Sequence, residues 1–196
     1  MAFGVMGHWR WRAAHPENFK PLQIRMTTNK TRQSDVIDWL NDAYAMERSL
    51  EVMLRKQAEN EDAHHAIRER ARIHLDETEV HAERVAECLE MLGATPSTIK
   101  SAAGQAMEFA KGMMSKMASD ERVKDFLCAY SAEYFEVACY KALIAGANVA
   151  GAAEIVPILE KNLKEDQAMA SWLDQNVNAV VRDYLFQPAR PVPATA

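Results

Sequence analysis

Apolar side chains recur every three or four residues through most of this chain, and this spacing is the strongest constraint on its fold. Leu40, Ala43, Leu50 and Leu54, for example, share one face if their segment is helical. The sequence has no long alternating run of Val, Ile and Thr of the kind that forms strands. Gly and Pro number only seven each in 196 residues, so helices meet few interruptions. The pattern predicts an all-α protein.

Four long helices follow from this periodicity and from residues that begin or end helices. Ser34 is a suitable N-cap for the first, Gly93 follows the second, and Gly146 and Gly151 bracket a turn before the fourth. The predicted bounds are 34–59, 62–92, 119–147 and 152–184. A Met-rich amphipathic segment, 97–117, would connect the two helical hairpins. Two hairpins joined by one long connection predict a four-helix bundle.

One domain is expected, with the bundle at residues 33–185. Residues 1–32 show no clear period and are interpreted as an irregular extension. As an alternative, their aromatic-basic patch, Trp9-Arg10-Trp11-Arg12, could form an arm that docks on a membrane surface or a partner. The Pro-rich residues 186–196 are predicted to form an extended tail.

Composition narrows the expected partners and compartment. A net charge of -5 argues against nucleic acid as a partner, because phosphate binding needs a basic surface. The sequence has no apolar run long enough to cross a bilayer, and its N-terminus lacks the apolar core of a secretory signal. Three cysteines cannot all pair within one chain. We therefore expect a reducing cytoplasm, with the cysteines as small packing residues.

Polar side chains stand at several positions where the helical pattern requires apolar ones. Glu47 and Glu133 lie within the apolar faces of the first and third helices, and His74 and His81 within that of the second. An ionised carboxylate in a core is strongly unfavourable unless it is compensated. Acidic or imidazole groups near the middle of every helix are explained together if they converge on a pair of metal ions.

Carboxylate oxygen and imidazole nitrogen are the ligands that Fe(II) and Mn(II) favour, and bundles hold such ion pairs with side chains from all four helices. Glu77 follows Glu47 by 30 residues and Glu165 follows Glu133 by 32, which would place each pair at similar depth in its hairpin. Glu165 is favoured over the adjacent Asp166. The candidate ligands, helix by helix, are Glu47; His74, Glu77 and His81; Glu133 and Glu136; and Glu165 and Asp166.

Structural alternatives stay open for several of these residues. Glu47 would be solvated if the helical phase were displaced by one residue, and Glu136 could equally be exposed. His74 could be a core histidine without a ligand role, and His81 could pair with Glu77 on the surface. The Met-rich segment is interpreted as packing rather than as a soft-metal site.

Four stretches in order carry a resemblance to a known family. They are DWLNDAYAMERSL, HLDETEVHAERV, YSAEYFEVACYKAL and LEKNLKEDQA, within about residues 35–185. Together they resemble the YciE/YciF-type ferritin-like stress-protein family. The matching positions are Asp42, Tyr44 and Glu47; His74, Leu75, Glu77 and Thr78; Glu133, Glu136, Ala138 and Tyr140; and Leu163, Glu165 and Asp166. The resemblance implies a ferritin-like bundle and a homodimer.

The Glu133-x-x-Glu136 pair is also similar to rubrerythrin, a di-iron peroxidase. However, Val80, Tyr134 and Ala168 stand where histidines would be expected from such relatives, so the site is poorer in nitrogen ligands.

The leading hypothesis is a stress protein that binds two Fe or Mn ions, with peroxide or dioxygen as a possible small oxidant in an oxidase or peroxidase reaction. Tyr44, Tyr130 or Tyr140 would then be hydrogen-bond partners or radical sinks near the site. The alternative is a non-catalytic, dimeric metal-sequestering or interaction protein. A cage-forming mini-ferritin is less favoured, because the sequence carries no visible signature of a cage.

Overall fold

Four long helices make up most of the described chain. The computed structural model describes residues 29–61, 65–97 and 121–186. The helices are α1 (Asn29–Glu59), α2 (His65–Met91), α3 (Glu121–Ala150) and α4 (Val156–Phe186), and a short 3-10 turn, Ala153–Ile155, precedes α4. No strand occurs within these ranges. The predicted all-α fold is confirmed.

The helices pair as two hairpins that pack into one bundle. α1 packs chiefly on α2 and α3 chiefly on α4, while α1 also contacts α3 and α2 also contacts α4. One large apolar cluster includes Leu40, Leu89, Tyr140 and Leu159. Two smaller clusters form around Phe126 with Leu173 and around Leu54 with Ala71. On α4 the buried Asn162 and Asp166 lie between Leu159 of the large cluster and Met169 of the Phe126 cluster, so polar residues interrupt the apolar core.

The first helix begins earlier than its N-cap signal predicted. α1 starts at Asn29, whose side chain accepts a hydrogen bond from Arg32 at 3.2 Å, and Ser34 lies inside the helix. Residues 29–32 of the expected irregular extension are therefore helical. A good capping residue favours a helix start but does not impose one, and nothing in residues 29–33 breaks a helix. The rest of that extension, and the tail from 187, lie outside the described residues.

The third helix runs past the glycine that was expected to end it. Gly146 lies within α3, and a Cβ added there would be 2.7 Å from Cζ3 of Trp39. The glycine thus permits close approach of α1, which is a packing role rather than a turn role. Gly93 and Gly151 do adopt positive φ, 74° and 75°, at helix ends. Pro157 is the second residue of α4, where its missing N–H costs least.

The predicted connection 97–117 lies outside the described residues except for Ser97. The Ser97 backbone N–H donates to Oδ1 of Asn41 at 2.8 Å, which fixes the chain leaving α2 against α1. Within the described ranges, no helix is both long and apolar enough to cross a membrane. Cys88 is buried, and Cys128 and Cys139 are partly buried; no disulfide joins these three cysteines.

Candidate metal centre

Six ionisable side chains form the polar layer inside the bundle. Each is at most 1% exposed, and together they come from all four helices. They are Glu47, His74, His81, Glu133, Glu136 and Asp166. Each occupies a core position of its helix because the three- and four-residue spacing of its apolar neighbours turns it inward.

One imidazole and two carboxylates form the first half of the layer, which we name the His74 group. Ligand atoms of His74, Glu133 and Glu136 all lie within 4.8 Å of one another. Nε2 of His74 is 3.0 Å from Oε1 of Glu133. Glu133 and Glu136 are one turn apart on α3, so both reach the same histidine of α2.

A second imidazole with two carboxylates forms the other half, the His81 group. Nδ1 of His81 is 3.3 Å from Oδ1 of Asp166 and 3.6 Å from Oε2 of Glu47. The rings of His74 and His81 are 6.2 Å apart between centroids and nearly perpendicular. The layer therefore consists of two adjacent groups of the same composition, held by α2 and α3 in one case and by α1, α2 and α4 in the other.

Several buried atoms of this layer have no hydrogen-bond partner among the described residues. They are Oε2 of Glu47, Oε2 of Glu133, both carboxylate oxygens of Glu136, both of Asp166, and Nδ1 of His81. Native proteins rarely leave buried polar atoms unpaired, because each costs on the order of 1–3 kcal/mol. Six unpaired carboxylate oxygens beside imidazole nitrogens match the ligand preference of Fe(II) or Mn(II). The residues present therefore fit a metal pair.

Without a cation, the layer must hold protons. Burial raises the pKa of Glu136 well above its usual value, and the charges of Glu133, Asp166 and Glu47 raise it further. Burial and the charge of Glu47 raise the pKa of Asp166 to about 8. Burial alone would lower the pKa of His74, but its hydrogen bonds with Glu133 and Glu77 raise it to about 10.

Glu77 and Glu165 lie outside this layer, on the far side of the two histidines. Their side chains are 29% and 33% exposed, and each contacts the outer nitrogen of a histidine. Of the four glutamates paired by depth in the hairpins, Glu47 and Glu133 lie in the buried layer and Glu77 and Glu165 lie outside it. Asp166, not the favoured Glu165, continues the inward line of α4 from Leu159 and is fully buried. Glu165 precedes Asp166 by one residue, so its side chain is rotated by about 100° around the helix axis relative to that of Asp166.

Two arginines hold these outer glutamates. Arg84 donates to Oε2 of Glu165 at 2.6 Å, and Arg70 donates to Oε2 of Glu77 at 3.4 Å. Partial burial works to raise the pKa of both carboxyls, but the hydrogen bonds and positive charges of their histidine and arginine partners lower it overall. Both glutamates are consequently ionised at neutral pH.

Tyr140 and Asn162 support Glu47 from the apolar side. The buried Tyr140 hydroxyl donates to Oε1 of Glu47 and accepts a hydrogen bond from Nδ2 of Asn162 at 2.8 Å. Arg84 in turn donates to Oδ1 of Asn162 at 3.0 Å. Sequence reasoning had included Tyr140 but missed Asn162, although Asn162 is a polar residue within the apolar stripe of α4 and carried the same signal as Glu47.

Tyr130 and Tyr44, the other two tyrosines considered from the sequence, lie outside the polar layer. Tyr130 and its neighbour Tyr134 both donate to the carboxylate of Asp174, on the outer side of α3 and α4. Tyr44 lines a groove of about 340 Å³ on the outer face of α1 and α2. Of the three tyrosines, Tyr140 has the direct contact with a candidate ligand.

Comparison with known proteins agrees with this architecture. Residues 32–186 match the family described as Domain of unknown function (DUF892). The chain belongs to the DUF892 family. This family match confirms the predicted YciE/YciF-type relationship of the chain. The E. coli stress protein YciF shares the fold of this DUF892 chain, at 23% identity and a TM-score of 0.65, with 78% of this chain and 98% of that one covered.

Two further solved structures place the fold. A protein from Xanthomonas campestris pv. campestris is 32% identical, with a TM-score of 0.66, over 79% of this chain and 95% of that one. A structure of ferritin-like, diiron-carboxylate proteins from Bacillus anthracis is 22% identical, with a TM-score of 0.61, over 75% of this chain and 98% of that one. The DUF892 chain therefore has the predicted ferritin-like four-helix bundle.

Proposed function

We propose that this DUF892 protein binds two metal ions, Fe or Mn, in the polar layer, one at the His74 group and one at the His81 group. The observation that carries the proposal is the set of six buried carboxylate oxygens without hydrogen-bond partners. The proposed ligands are the six buried side chains: Glu47, His74, His81, Glu133, Glu136 and Asp166.

Charge balance supports a stoichiometry of two. Glu47, Glu133, Glu136 and Asp166 carry four negative charges when ionised, and neutral imidazoles add none. Two divalent cations neutralise these charges in a region where net charge is strongly unfavourable. A single divalent ion would leave two negative charges buried, so the layer would have to retain protons.

Redox chemistry is the finer part of the proposal. Two Fe(II) ions held side by side can supply two electrons to a peroxide or to dioxygen. Tyr140 holds Glu47 through Oε1, which leaves Oε2 for metal ligation. Burial and the nearby Glu47 raise the pKa of Tyr140 well above its usual value, so the phenol keeps its proton and its hydrogen bond to Glu47 at neutral pH.

Metal content after anaerobic loading tests the binding proposal. We expect two Fe(II) or Mn(II) ions per wild-type chain by elemental analysis, and a clear loss of metal in Glu136→Gln, which removes a ligand without changing side-chain size. Glu79→Ala is the matched control, since Glu79 lies on α2, is 46% exposed and pairs with Arg55 outside the layer. Wild-type protein that binds no metal would exclude the proposal.

A non-catalytic, metal-sequestering role is the second candidate, and one observation favours it. All six proposed ligands are at most 1% exposed, so an oxidant has no open route to them in the described structure. Stopped-flow spectroscopy of the Fe(II)-loaded protein mixed with hydrogen peroxide separates the two candidates. Oxidation of the bound Fe(II) much faster than that of free Fe(II) supports an oxidoreductase, whereas oxidation that is no faster than that of free Fe(II) supports sequestration.

We further propose that the protein is a homodimer, that it is located in the cytoplasm, and that it has a role in the stress response. The YciE/YciF resemblance supports the dimer, and the E. coli relative YciF is a stress protein. The absence of a disulfide between Cys88, Cys128 and Cys139 agrees with a reducing compartment. Light scattering that gives the mass of one chain at micromolar concentration would contradict the dimer.

A further inference from the structure

We propose that Glu77 and Glu165 are positioning residues that fix His74 and His81 in opposite orientations, so that His74 offers Nε2 and His81 offers Nδ1 to the metal ions. The inference rests on the proposed metal site, and it gives the two outer glutamates a role different from ligation.

The first relay, by which we mean a chain of side-chain hydrogen bonds, runs from Arg70 through Glu77 to His74. Arg70 lies 3.4 Å from Oε2 of Glu77, and that same oxygen is 2.7 Å from Nδ1 of His74. The other ring nitrogen, Nε2, is 3.0 Å from Oε1 of Glu133 in the buried layer. Glu77 therefore holds the outer edge of the imidazole while the inner edge faces the His74 group.

The second relay runs from Arg84 through Glu165 to His81, with the two ring nitrogens exchanged. Arg84 contacts both carboxylate oxygens of Glu165, at 2.6 and 3.4 Å. Oε2 of Glu165 is 2.8 Å from Nε2 of His81. Nδ1 of His81 faces Asp166 and Glu47 and has no hydrogen-bond partner among the described residues.

The hydrogen-bonding capacity of each group determines the orientation. A carboxylate paired with an arginine can only accept hydrogen bonds, so the ring nitrogen that faces it must carry the hydrogen. A neutral imidazole has one N–H, and its other nitrogen then presents a lone pair to a metal. This arrangement of a carboxylate behind a ligating histidine recurs in metal sites, where it fixes the tautomer and strengthens the ligand.

The same geometry argues against Glu77 and Glu165 as ligands. Each binds the ring nitrogen opposite the one that faces the layer, so the imidazole stands between that carboxylate and its metal-binding group. Both glutamates are also about one-third exposed, whereas the six proposed ligands are buried. The relays differ in origin: Glu77 is on the same helix as His74, whereas Glu165 reaches His81 from α4.

Nuclear magnetic resonance of the Zn(II)-loaded protein, with ¹⁵N-labelled histidine, reads the orientation directly. We expect the hydrogen on Nδ1 of His74 and on Nε2 of His81, with the metal on the opposite nitrogen in each ring. If both histidines bind Zn(II) through the same ring nitrogen, or if both orientations are reversed, the proposal is wrong.

Substitutions then test whether the glutamates act through the histidines. Glu77→Ala and Glu165→Ala are each expected to weaken binding of one of the two ions by about 10- to 100-fold while saturation still reaches two ions per chain. Gln at either position keeps an acceptor for the imidazole N–H and should restore part of the affinity. Glu79→Ala on α2 loses its partner Arg55 of α1 but no histidine contact, so it should bind metal like wild type.

The outcomes separate this inference from the metal site itself. If wild type binds two ions and Glu77→Ala saturates at one ion, like the ligand variant Glu133→Gln, then Glu77 is a ligand and the inference fails alone. It also fails alone if Glu77→Ala and Glu165→Ala bind as tightly as wild type. If wild type binds no Zn(II), Fe(II) or Mn(II), the proposed function and the inference fail together.

Discussion

Among the buried carboxylates, Glu136 has the least support from the protein. Both of its oxygens lack a hydrogen-bond partner among the described residues, and burial and three neighbouring acids raise its pKa well above the usual value. Glu47, by contrast, accepts the Tyr140 hydroxyl, and Glu133 contacts His74. Because Glu47 and Glu133 have partners and Glu136 has none among the described residues, we expect substitutions at these positions to change stability differently.

Glu136→Gln should stabilise the metal-free protein while it weakens the metal-bound one. The amide is neutral without a proton, so it removes the cost of protonating a carboxyl whose pKa is raised by burial and by like-charge repulsion. We therefore expect the free energy of unfolding to rise by about 1 kcal/mol in the presence of a chelator. With Mn(II) the sign should reverse, because a lost ligand reduces the stabilisation that comes from binding only the folded state. Urea denaturation with chelator and with Mn(II) measures both values.

Glu47→Ala serves as the comparison for that experiment. It also relieves repulsion, but it leaves the buried Tyr140 hydroxyl without its acceptor, so its gain in the metal-free state should be smaller. Equal losses of stability for Glu136→Gln in both conditions would show that Glu136 has a purely structural role.

The raised pKa values predict an unusual pH dependence for the metal-free protein. The pKa of Asp166 is raised from 3.8 to about 8, and that of His74 from 6.5 to about 10. The folded state therefore holds more protons than the unfolded chain above about pH 4, and stability falls as pH rises toward 10. The loss should be steepest near pH 6.5–8, where both groups contribute, at about 1 kcal/mol or more per pH unit.

Metal binding should show the opposite trend. Ligands must lose their protons to bind a cation, so the gain in melting temperature on adding Mn(II) should grow from about pH 6 to pH 8. Thermal melts across this range, with chelator and with Mn(II), give both curves. A metal-free curve whose stability rises over this range would contradict the assignment of protons to the buried layer.

At the scale of elements, the contact of α1 with α3 depends on Gly146. Glycine inside a helix is usually unfavourable by about 0.5–1 kcal/mol relative to Ala. Here, however, an added Cβ would lie 2.7 Å from the ring of Trp39, which is 46% exposed. The close approach of the two helices therefore offsets the cost of the glycine.

Gly146→Ala is expected to destabilise the protein by about 1 kcal/mol, because the Trp39 ring must move from its packed position. In a Trp39→Ala background the same substitution should instead stabilise it by about 0.5–1 kcal/mol, since only the helix preference remains. Urea denaturation of the four proteins of this double-mutant cycle measures the coupling. The same effect of Gly146→Ala in both backgrounds would show that Trp39 is not the constraint.

The other element-scale difference lies in where helices begin and end. α1 and α4 extend by a few residues beyond their predicted bounds, from Asn29 and to Phe186. Capping residues are local preferences, and a neighbouring helix that offers packing outweighs them. The interior of each helix was predictable because its apolar pattern runs over many turns.

At the scale of the whole molecule, the bundle and its buried layer lie within the segment that matches the family. The match begins at residue 32, and the first described core residue is Val36. A chain that starts at Met26 should therefore keep the melting temperature of the full chain within about 2 °C, since a change of 1 kcal/mol shifts it by only a few degrees. It should also bind the same amount of metal. A large drop in melting temperature would show that residues 1–25 pack on the bundle.

The sequence by itself determined the helical class, the four-helix bundle and most of the buried layer. Glu47, His74, His81 and Glu133 interrupt apolar faces at helical spacing, and burial at those positions is a property of one helix alone. Helical spacing also made Glu136 a candidate ligand, but it did not predict that Glu136 is buried. Asn162 carried the same signal and was overlooked.

Tertiary structure decided the division between the buried layer and the residues behind it. Helical spacing separates Asp166 from Glu165, because Asp166 lies seven residues after the buried Leu159. Spacing alone could not show that Glu165, or Glu77 one turn from His74 and from His81, would lie behind the histidines. Their positions depend on contacts between helices: Arg84 of α2 holds Glu165 of α4, and Asp166 turns inward toward His81. The relative rotation of packed helices fixes such contacts, and no pattern within a single helix contains that angle.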